Sequence, residues 1–350
     1  MKKIVILVNT LQRGGAEKQS IYLLNALKDK YLIVFVVFHG LLIEDKLLQL
    51  IEGNNYHLIR LGEKKFKKLV VLYKIFKNYE INYLFTYLTK PNFIGAVIGR
   101  FAGINNIYGG IRSTKLPLWK LLIEKFTMNF LTTKTIFNSY LGEKLLGVKE
   151  STKTLVIPNC FYNIHDVFVR PIKSHSKIIT VGRFDEAKDY KTAIKSIYEL
   201  TKTKPIFIFQ IVGYGKLESE IRKWITYYKL EGFIQVLINP DNISELLNEA
   251  DIYLSTSIFE GTSNSIMEAM NASLPIVATN VGDNNRMIFE GKNGFLHHVG
   301  DYKGIVKSLE ALMDDYNLRI KFGIRSNQIL RENYSFKKFK ESYIQLIEQE

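Results

Sequence analysis

The sequence predicts an α/β protein built from two doubly wound domains with parallel sheets. Three observations carry that expectation. Short runs rich in Ile, Val, Leu, Phe and Tyr alternate with longer amphipathic stretches along the whole chain. The runs are continuously apolar rather than alternating, as in strands covered by helices on both faces. And 350 residues make two domains of ordinary size rather than one.

The elements follow in order. Strands are expected in the first half at Ile4–Val8, Leu32–Phe38, Tyr83–Tyr87, Ile107–Tyr108, Thr135–Phe137 and Leu155–Ile157. Helices fall between them at Glu17–Lys28, Phe66–Asn78, Phe93–Ala102, Leu118–Phe130 and Tyr140–Leu146. The second half repeats the logic, with strands at Ile178–Val181, Ile206–Val212, Ile234–Leu237, Ile252–Ser255 and Ile276–Ala278. Its helices are expected at Tyr190–Leu200, Leu217–Tyr228, Ile243–Asn248, Ser265–Ala269, Lys303–Met313 and Leu318–Glu332. A last helix, Ser335–Glu348, closes the chain. This is the βαβ series of a parallel sheet. The stretch Asn159–Lys177, which follows Pro158 and contains Pro171, shows no period and marks the boundary. The expected domains are 1–165 and 166–334, with 335–350 packing back on the first. They are expected to face each other across a cleft, with chemistry outside the carboxyl ends of the strands.

Composition narrows the class. The apolar fraction is 47% and the charged fraction 23%, which excludes a disordered chain. Cys160 is the single cysteine, so an intrachain disulfide and a Cys-based zinc site are both excluded and a reducing, cytoplasmic compartment fits. The opening Met1-Lys-Lys-Ile-Val-Ile-Leu-Val-Asn9 has the basic start of a signal peptide. Its apolar run stops at Asn9 with no small-residue cleavage site, so a buried first strand is the better reading. No apolar stretch approaches the roughly 18 residues a membrane span needs. Net charge is +14, and residues 1–170 hold 25 basic against 11 acidic side chains, while 171–350 hold 23 of each. The whole excess therefore lies on the first half and calls for an anionic partner.

Three segments at strand ends carry chemistry. After the first strand, Gly14-Gly15 opens a helix, which lets a phosphate approach the backbone; a plain βα turn needing glycine explains the pair equally well. The first strand of the second half ends in Gly182-Arg183, and Lys188 follows just before the helix at Tyr190. Two cations at a helix N-terminus suit a diphosphate, against the alternative of two solvated surface charges. The third segment runs from Ser255 to Met270. A polar loop, Glu260-Gly261-Thr262-Ser263-Asn264-Ser265-Ile266, leads into a helix whose first turn is expected to hold Glu268. Glu260 is expected at the loop's mouth, where a carboxylate can accept from sugar hydroxyls. Ser265-x-x-Glu268 also reads as a capping box, which would leave Glu268 a purely local duty. The two glutamates could instead be the acid and nucleophile of a glycoside hydrolase, although the phosphate-type loops around them argue against it.

The spacing of Glu260 and Glu268, the Gly182-Arg183 and Lys188 cluster, and the Gly14-Gly15-Ala16-Glu17 turn resemble family-4 glycosyltransferases of the GT-B fold. Ile157-Pro158-Asn159 is similar to their interdomain segment. Ala250-Asp251-Ile252-Tyr253 is similar to the strand before their glutamate loop, and Pro275–Gly282 and Gly291–Phe295 are similar to their C-terminal pattern. The resemblance implies a retaining, metal-independent transfer from a nucleotide-diphosphate sugar, UDP by family frequency, with no cofactor beyond that substrate. It implies that Arg183 and Lys188 hold the diphosphate, that Glu268 bonds the ribose, and that Glu260 bonds the donor sugar near the reacting carbon. Backbone amides of Thr262–Ile266 would help hold phosphate and sugar. Gly14 and Gly15 would approach the diphosphate, and Ile238, Asn239 and Pro240 fall where the base is held. Many members carry a histidine in the loop after the fifth strand. Here that loop reads Gly109-Gly110-Ile111-Arg112-Ser113-Thr114, so Arg112, with Ser113, stands near the place as a contact to sugar or acceptor rather than as a base.

In this fold the acceptor docks on the first domain, which carries the charge. Lys64–Lys77 reads as a basic amphipathic helix, and Lys115–Phe126 joins Leu, Trp119 and Lys. Both suit an anionic membrane surface, as well as a helix packed on its sheet with lysines in water. The expectation is a peripheral enzyme on the inner face of the cell membrane, using a glycan acceptor linked to a lipid diphosphate in surface-polysaccharide assembly. Two other classes are weighed against it. A basic nucleic-acid-binding protein would leave Arg183, Lys188, Glu260 and Glu268 unexplained and shows no recognised motif, so no nucleic acid is expected. A sugar phosphorylase of the same fold would need a pyridoxal-phosphate lysine motif, and none is seen.

Overall fold

The computed structural model describes residues 1–12, 14–53, 55–112, 116–147, 153–171 and 175–349. They form two compact units. Unit 1 is Met1–Tyr162 with Phe336–Glu350, and unit 2 is Asn163–Ser335.

Among the described residues unit 1 is a seven-stranded, all-parallel sheet. Its strands are β1 (Lys3–Val8), β2 (Leu32–Val37), β3 (Tyr56–Arg60), β4 (Tyr83–Tyr87), β5 (Asn106–Ile111), β6 (Lys134–Phe137) and β7 (Thr154–Val156). The helices are α1 (Gly15–Leu27), α2 (Asp45–Leu48), α3 (Lys65–Asn78), α4 (Thr89–Phe101), α5 (Leu118–Phe126) and α6 (Tyr140–Leu146). The spatial order is β3-β2-β1-β4-β5-β6-β7. Ile4, Ile6 and Phe35 pack under α1 and the C-terminal helix, whereas Val5, Leu7 and Val34 pack under α3 and α4. Strands filled on both faces explain the unbroken apolar runs.

Unit 2 has six parallel strands in the order β10-β9-β8-β11-β12-β13. They are β8 (Ser176–Arg183), β9 (Phe207–Tyr214), β10 (Ile234–Ile238), β11 (Ile252–Ser255), β12 (Ile276–Thr279) and β13 (Gly294–His297). Its helices are α7 (Tyr190–Leu200), α8 (Glu218–Tyr227), α9 (Ile243–Glu249), α10 (Asn264–Asn271), α11 (Asn284–Met287), α12 (Tyr302–Asp314) and α13 (Tyr316–Asn333). Helix α14 (Phe336–Glu348) returns to unit 1, where Tyr343 packs against Phe85 and Phe339.

The strand β3, the strand β13 and the short helices α2 and α11 escape the sequence pattern. Both strands are sheet edges, and β3 is only half-covered, so neither shows a full apolar run. Helix α4 begins at Thr89, ahead of the expected Phe93, because Pro91 falls in the first turn, where its missing N–H costs nothing. Helix α5 stops at Phe126 and a π-helical turn, Thr127–Leu131, replaces the expected last turns. Gly109, Gly110 and Ile111 belong to β5, so the following loop starts at Arg112.

The first unit boundary lies at Tyr162/Asn163 rather than 165/166, and the second at Ser335/Phe336 rather than 334/335. Tyr162 stacks on Tyr22 and packs at a tilt against Phe336, which holds it to unit 1. The next residues are bound to unit 2. His165 N donates to Asn271 Oδ1 at 2.8 Å and Phe168 N to Ser273 Oγ at 3.1 Å. The buried Arg170 guanidinium donates to carbonyls of Ser273, Ala272 and Leu247. Burial lowers the Arg170 pKa to about 10, an arginine still charged at neutral pH.

Candidate functional site

Strand order in unit 2 reverses between β8 and β11, the switch point at whose carboxyl edge a doubly wound sheet receives ligand. The loop after β8 carries Arg183 and Lys188, and the loop after β11 carries Glu260. The structure brings Lys188 and Glu260, 72 positions apart in the chain, into contact.

Each is held by local chemistry. After β8 the Asp185 side chain caps a single 3-10 turn, Glu186–Lys188, by accepting from Ala187 N at 3.1 Å. Asp189, in the left-handed region at φ 45°, caps α7 by accepting from Thr192 N. The second loop is tied to the first. Thr256 Oγ1 donates to the carbonyls of Lys188 and Asp189, both at 2.9 Å, and Ile258 N donates to Ala187 O at 2.8 Å. Lys188 Nζ then lies 2.5 Å from Glu260 Oε1, and Ser257 Oγ donates to the same oxygen at 2.8 Å. The two side chains of the ion pair are 21% and 14% exposed, so the pair is poorly screened yet reachable. Arg183 stands in solvent beside Asp185, 3.6 Å from Nε to Oδ2.

Two glycines are required for this packing. A Cβ on Gly182 would lie 3.0 Å from Lys188 Cε, so the lysine chain lies across that glycine. Gly282 has φ 58°, and a Cβ there would meet the Glu260 carbonyl oxygen at 2.5 Å. Thr279 Oγ1 adds a 2.5 Å bond to the Ser257 carbonyl. The strand β12 and its following turn thus support the Glu260 loop from below.

Helix α10 begins at Asn264, with Ser263 in the N-cap position and no side-chain cap bond. Glu268 is its fifth residue, one turn in, rather than in the first turn as expected. Ser265 is already helical, so a capping box from Ser265 to Glu268 is not formed. The first turn carries no acidic residue, which leaves the positive end of α10 uncompensated by side chains. Thr262, Ser263 and Ile266 are buried, while Gly261, Asn264 and Ser265 are half-buried. The Tyr253 phenol lies under this turn, donating to Val181 O at 3.2 Å and bonded to Ser265; burial raises its pKa.

Across the sheet Ile238, Gly213 and Gly182 sit in one register row, so Ile238 shares the carboxyl edge with the cations. Asn239, at φ 45°, donates its N–H to Gly213 O at 2.9 Å and turns the chain toward Pro240. Sequence reasoning passed over Gly213 and Gly215. A Cβ on Gly213 would lie 1.8 Å from Gly182 O, and one on Gly215 2.6 Å from Phe184 O. It also passed over Thr256 and Ser257, which bind the two loops together. The available signals were the Gly-Tyr-Gly after an apolar strand and a Ser-Thr-Ser run that is fully buried.

Unit 1 carries the remaining candidates. Gly14 is the N-cap of α1 in extended geometry, and α1 starts at Gly15. A Cβ on Gly14 would meet Glu17 Oε2 at 2.1 Å, so the Glu17 carboxylate folds over this helix end, accepting from Thr10 Oγ1 at 3.1 Å. Arg112 joins three parts of the unit. It donates to Asn159 Oδ1 at 3.1 Å and to the Tyr343 hydroxyl at 3.3 Å, and lies over the Tyr87 ring at 4.6 Å. Ser113 lies outside the described residues, as do Thr114 and Lys115.

The two basic segments differ in which side chains they bury. In α3 Leu72, Ile75 and Phe76 are buried, but so is Lys68, and Phe66, Val70 and Tyr73 are exposed beside Lys67, Lys74 and Lys77. In α5 the pattern is inverted. Glu124 is the buried residue, accepting from Asn92 Nδ2 at 3.2 Å on both oxygens, and burial raises its pKa. Leu118, Trp119, Leu122 and Phe126, with Phe130 of the π-helical turn, face solvent. Helices α3 and α5 both pack on α4, whose Phe93 ring is 6.4 Å from Phe126. No helix among the described residues is long and apolar enough to cross a membrane.

The family described as glycosyl transferases group 1 matches residues 166–328, nearly all of unit 2. The chain is 25% identical, over 91% of its length and 92% of the relative's, to a Campylobacter jejuni protein. That relative is named N-acetylgalactosamine-N,N'-diacetylbacillosaminyl-diphospho-undecaprenol 4-alpha-N-acetylgalactosaminyltransferase. It is 26% identical, over 81% of its length and 80% of the relative's, to the Escherichia coli UDP-Gal:alpha-D-GlcNAc-diphosphoundecaprenol alpha-1,3-galactosyltransferase. Among solved structures, Anabaena HepE in complex with UDP superposes with a TM-score of 0.84 at 17% identity, covering all of both chains. The fold is therefore GT-B.

Proposed function

We propose, from a chain whose second unit matches the glycosyl transferases group 1 family, that this protein is a retaining glycosyltransferase. It takes a hexose or N-acetylhexosamine from a nucleotide-diphosphate sugar, with UDP as the nucleotide, and passes it to a glycan acceptor linked to a lipid diphosphate. The observation that supports this most is the Lys188–Glu260 pair at the switch point of unit 2, next to the uncompensated N-terminus of α10. Cations and helix amides receive a diphosphate, and a carboxylate at their edge receives sugar hydroxyls.

In this reading Lys188 and Arg183 stabilise charge that grows on the leaving diphosphate, which replaces a metal ion in that task. Donor sugar hydroxyls bond Glu260, and Lys188 then turns from Glu260 toward phosphate oxygen. Glu268 bonds the ribose, and Ile238–Pro240 take the base. No protein base is assigned; the leaving phosphate oxygen takes the acceptor proton on the same face of the sugar, so the anomeric configuration is kept.

The acceptor reading draws on the two relatives, whose names both contain a diphosphoundecaprenol substrate, and on unit 1. An inverted helix with Trp119, Leu122 and Phe126 in water, between lysines, suits the interface of an anionic bilayer. The protein would then work as a peripheral enzyme on the inner face of the cell membrane. A thermal-shift panel of nucleoside diphosphates and nucleotide sugars tests the donor. A ligand at a hundred times its Kd stabilises by about 2.7 kcal/mol. A melting temperature raised by UDP and UDP-sugars, and not by GDP or ADP, is the expected result; no shift with any nucleotide would end the reading.

A further inference from the structure

We propose that a cavity between α13 and the turn before β13 binds a sugar phosphate, a pyranose that carries a phosphate monoester. The cavity measures about 530 Å³, within the range of small-ligand sites. It lies at the β13 edge of the unit 2 sheet, two strands from the β8–β11 switch point. None of Arg183, Lys188 and Glu260 lines it.

One face of α13 forms a wall. Ile320, Lys321, Ile324, Arg325 and Gln328 recur at helical spacing and line the cavity together. The turn that carries Lys292 forms the other wall, and it is fixed to the helix. Asn293, fully buried, donates from Nδ2 to Met287 O at 3.1 Å and to Ser326 Oγ of α13 at 3.4 Å. Its Oδ1 accepts from Phe289 N at 2.8 Å, and its carbonyl accepts from Ser326 Oγ at 3.4 Å. The two walls are therefore held by the protein's own bonds, as in a pre-formed site.

The charges select an anion. The lining holds Lys292, Lys321 and Arg325, and among the described residues no carboxylate lines it. Arg325 is already partnered, by Glu332 at 3.2 Å and Gln328 Oε1 at 3.3 Å. Lys292 and Lys321 are exposed and have no side-chain hydrogen bond or ion pair among the described residues. Lys321 also stands one turn before Arg325, a like-charge i,i+4 pair that an anion relieves. Two uncompensated ammonium groups match a phosphate monoester, which carries about −1.5 to −2 charges at pH 7 and accepts charge-assisted hydrogen bonds. The rest of the lining selects the body of the ligand. Ile320 and Ile324 are half-buried and offer an apolar floor to one face of a pyranose. The Gln328 amide nitrogen is a donor for hydroxyls. A bare phosphate leaves that floor uncovered, and a neutral sugar leaves the ammonium groups unmatched.

The test is isothermal titration of the full chain with glucose 6-phosphate as the probe, beside inorganic phosphate and glucose. The sugar phosphate is expected to bind at least tenfold more tightly than either. Lys292→Gln and Lys321→Gln should each weaken it at least fivefold, and Lys321→Arg should retain most of the affinity. Lys292 and Lys321 are exposed, so these variants keep the fold. Lys223→Gln, an exposed lysine of α8, should change nothing and controls for unspecific attraction. The Arg183→Ala/Lys188→Ala protein should bind as wild type does, which separates this cavity from the donor site. No binding to wild type, or equal binding to wild type and the two glutamine variants, overturns the proposal. So does an equal loss in Lys223→Gln, inorganic phosphate bound as tightly as the sugar phosphate, or binding that disappears only in Arg183→Ala/Lys188→Ala.

Discussion

Lys188 Nζ and Glu260 Oε1 are 2.5 Å apart, although 72 residues separate them in the chain, and the two loops that carry them are tied by hydrogen bonds to the backbone of the first. Thr256 and Ile258 bind the loop of one residue to the loop of the other. The pair holds a cation and a carboxylate together at the edge of unit 2.

Removing either cation is expected to cost turnover. Arg183→Ala and Lys188→Ala should each lower kcat about a hundredfold or more, the usual effect of losing one preorganised donor to a developing negative charge. Their stabilities should differ. Arg183 is 73% exposed and its loss should leave the melting temperature unchanged. Lys188→Ala strands a part-buried carboxylate, at roughly 1–3 kcal/mol. EDTA should leave the rate intact; a rate lost in EDTA and restored by magnesium would show that a metal, not these cations, stabilises the leaving group.

The two glutamates are expected to divide their effects. Glu268→Ala should weaken UDP binding in the proposed reading, in which its acceptor oxygens serve the ribose. Glu260→Ala should reduce kcat with UDP-sugar far more than it reduces affinity for UDP alone. Titration calorimetry with UDP, beside steady-state kinetics, measures both. A Glu268→Ala protein with unchanged UDP affinity would remove Glu268 from the site.

Vesicle co-sedimentation tests the exposed face of unit 1. Wild type should pellet with anionic vesicles at low salt and be released as salt shortens the Debye length below about 8 Å. Lys67/Lys74/Lys77→Glu should abolish this attraction, each lysine near the surface being worth about 1 kcal/mol. Trp119→Ala with Phe126→Ala should weaken binding that salt does not release, since burying such side chains contributes roughly 1.5–3 kcal/mol each. Wild type that stays in solution with anionic vesicles at low salt would disprove membrane attachment through this face.

Glu124 gives a pH dependence with a defined sign. Burial holds its pKa above the ordinary carboxyl value, so the folded protein binds a proton there that the unfolded chain has lost. Stability from this group therefore falls as pH rises from the unfolded to the folded pKa, and is regained on acidification. Glu124→Gln keeps an amide toward Asn92 and cannot titrate. The melting-temperature difference between wild type and Glu124→Gln should shift in favour of wild type as pH is lowered from 7 to about 5; a difference that is flat with pH would contradict it.

The two-sheet architecture was legible in the sequence because strands covered on both faces must be apolar along their whole length, and helices must show one apolar stripe. Residues such as Ile4–Val8 and Ile252–Ser255 admit little else. The glycines, cations and carboxylates at strand ends were legible for a related reason: a doubly wound sheet sends ligand chemistry to its carboxyl edge. The tertiary structure decided what has no local signal. The edge strand Tyr56–Arg60 is only half-covered and leaves no apolar run. Thr256 and Ser257 look like ordinary polar residues until the loops they join are seen together. And α5 reads as a basic amphipathic helix in either orientation. Only packing against Asn92 shows that Glu124 points in and Trp119 points out, because periodicity fixes which residues share a face and not which face meets the core.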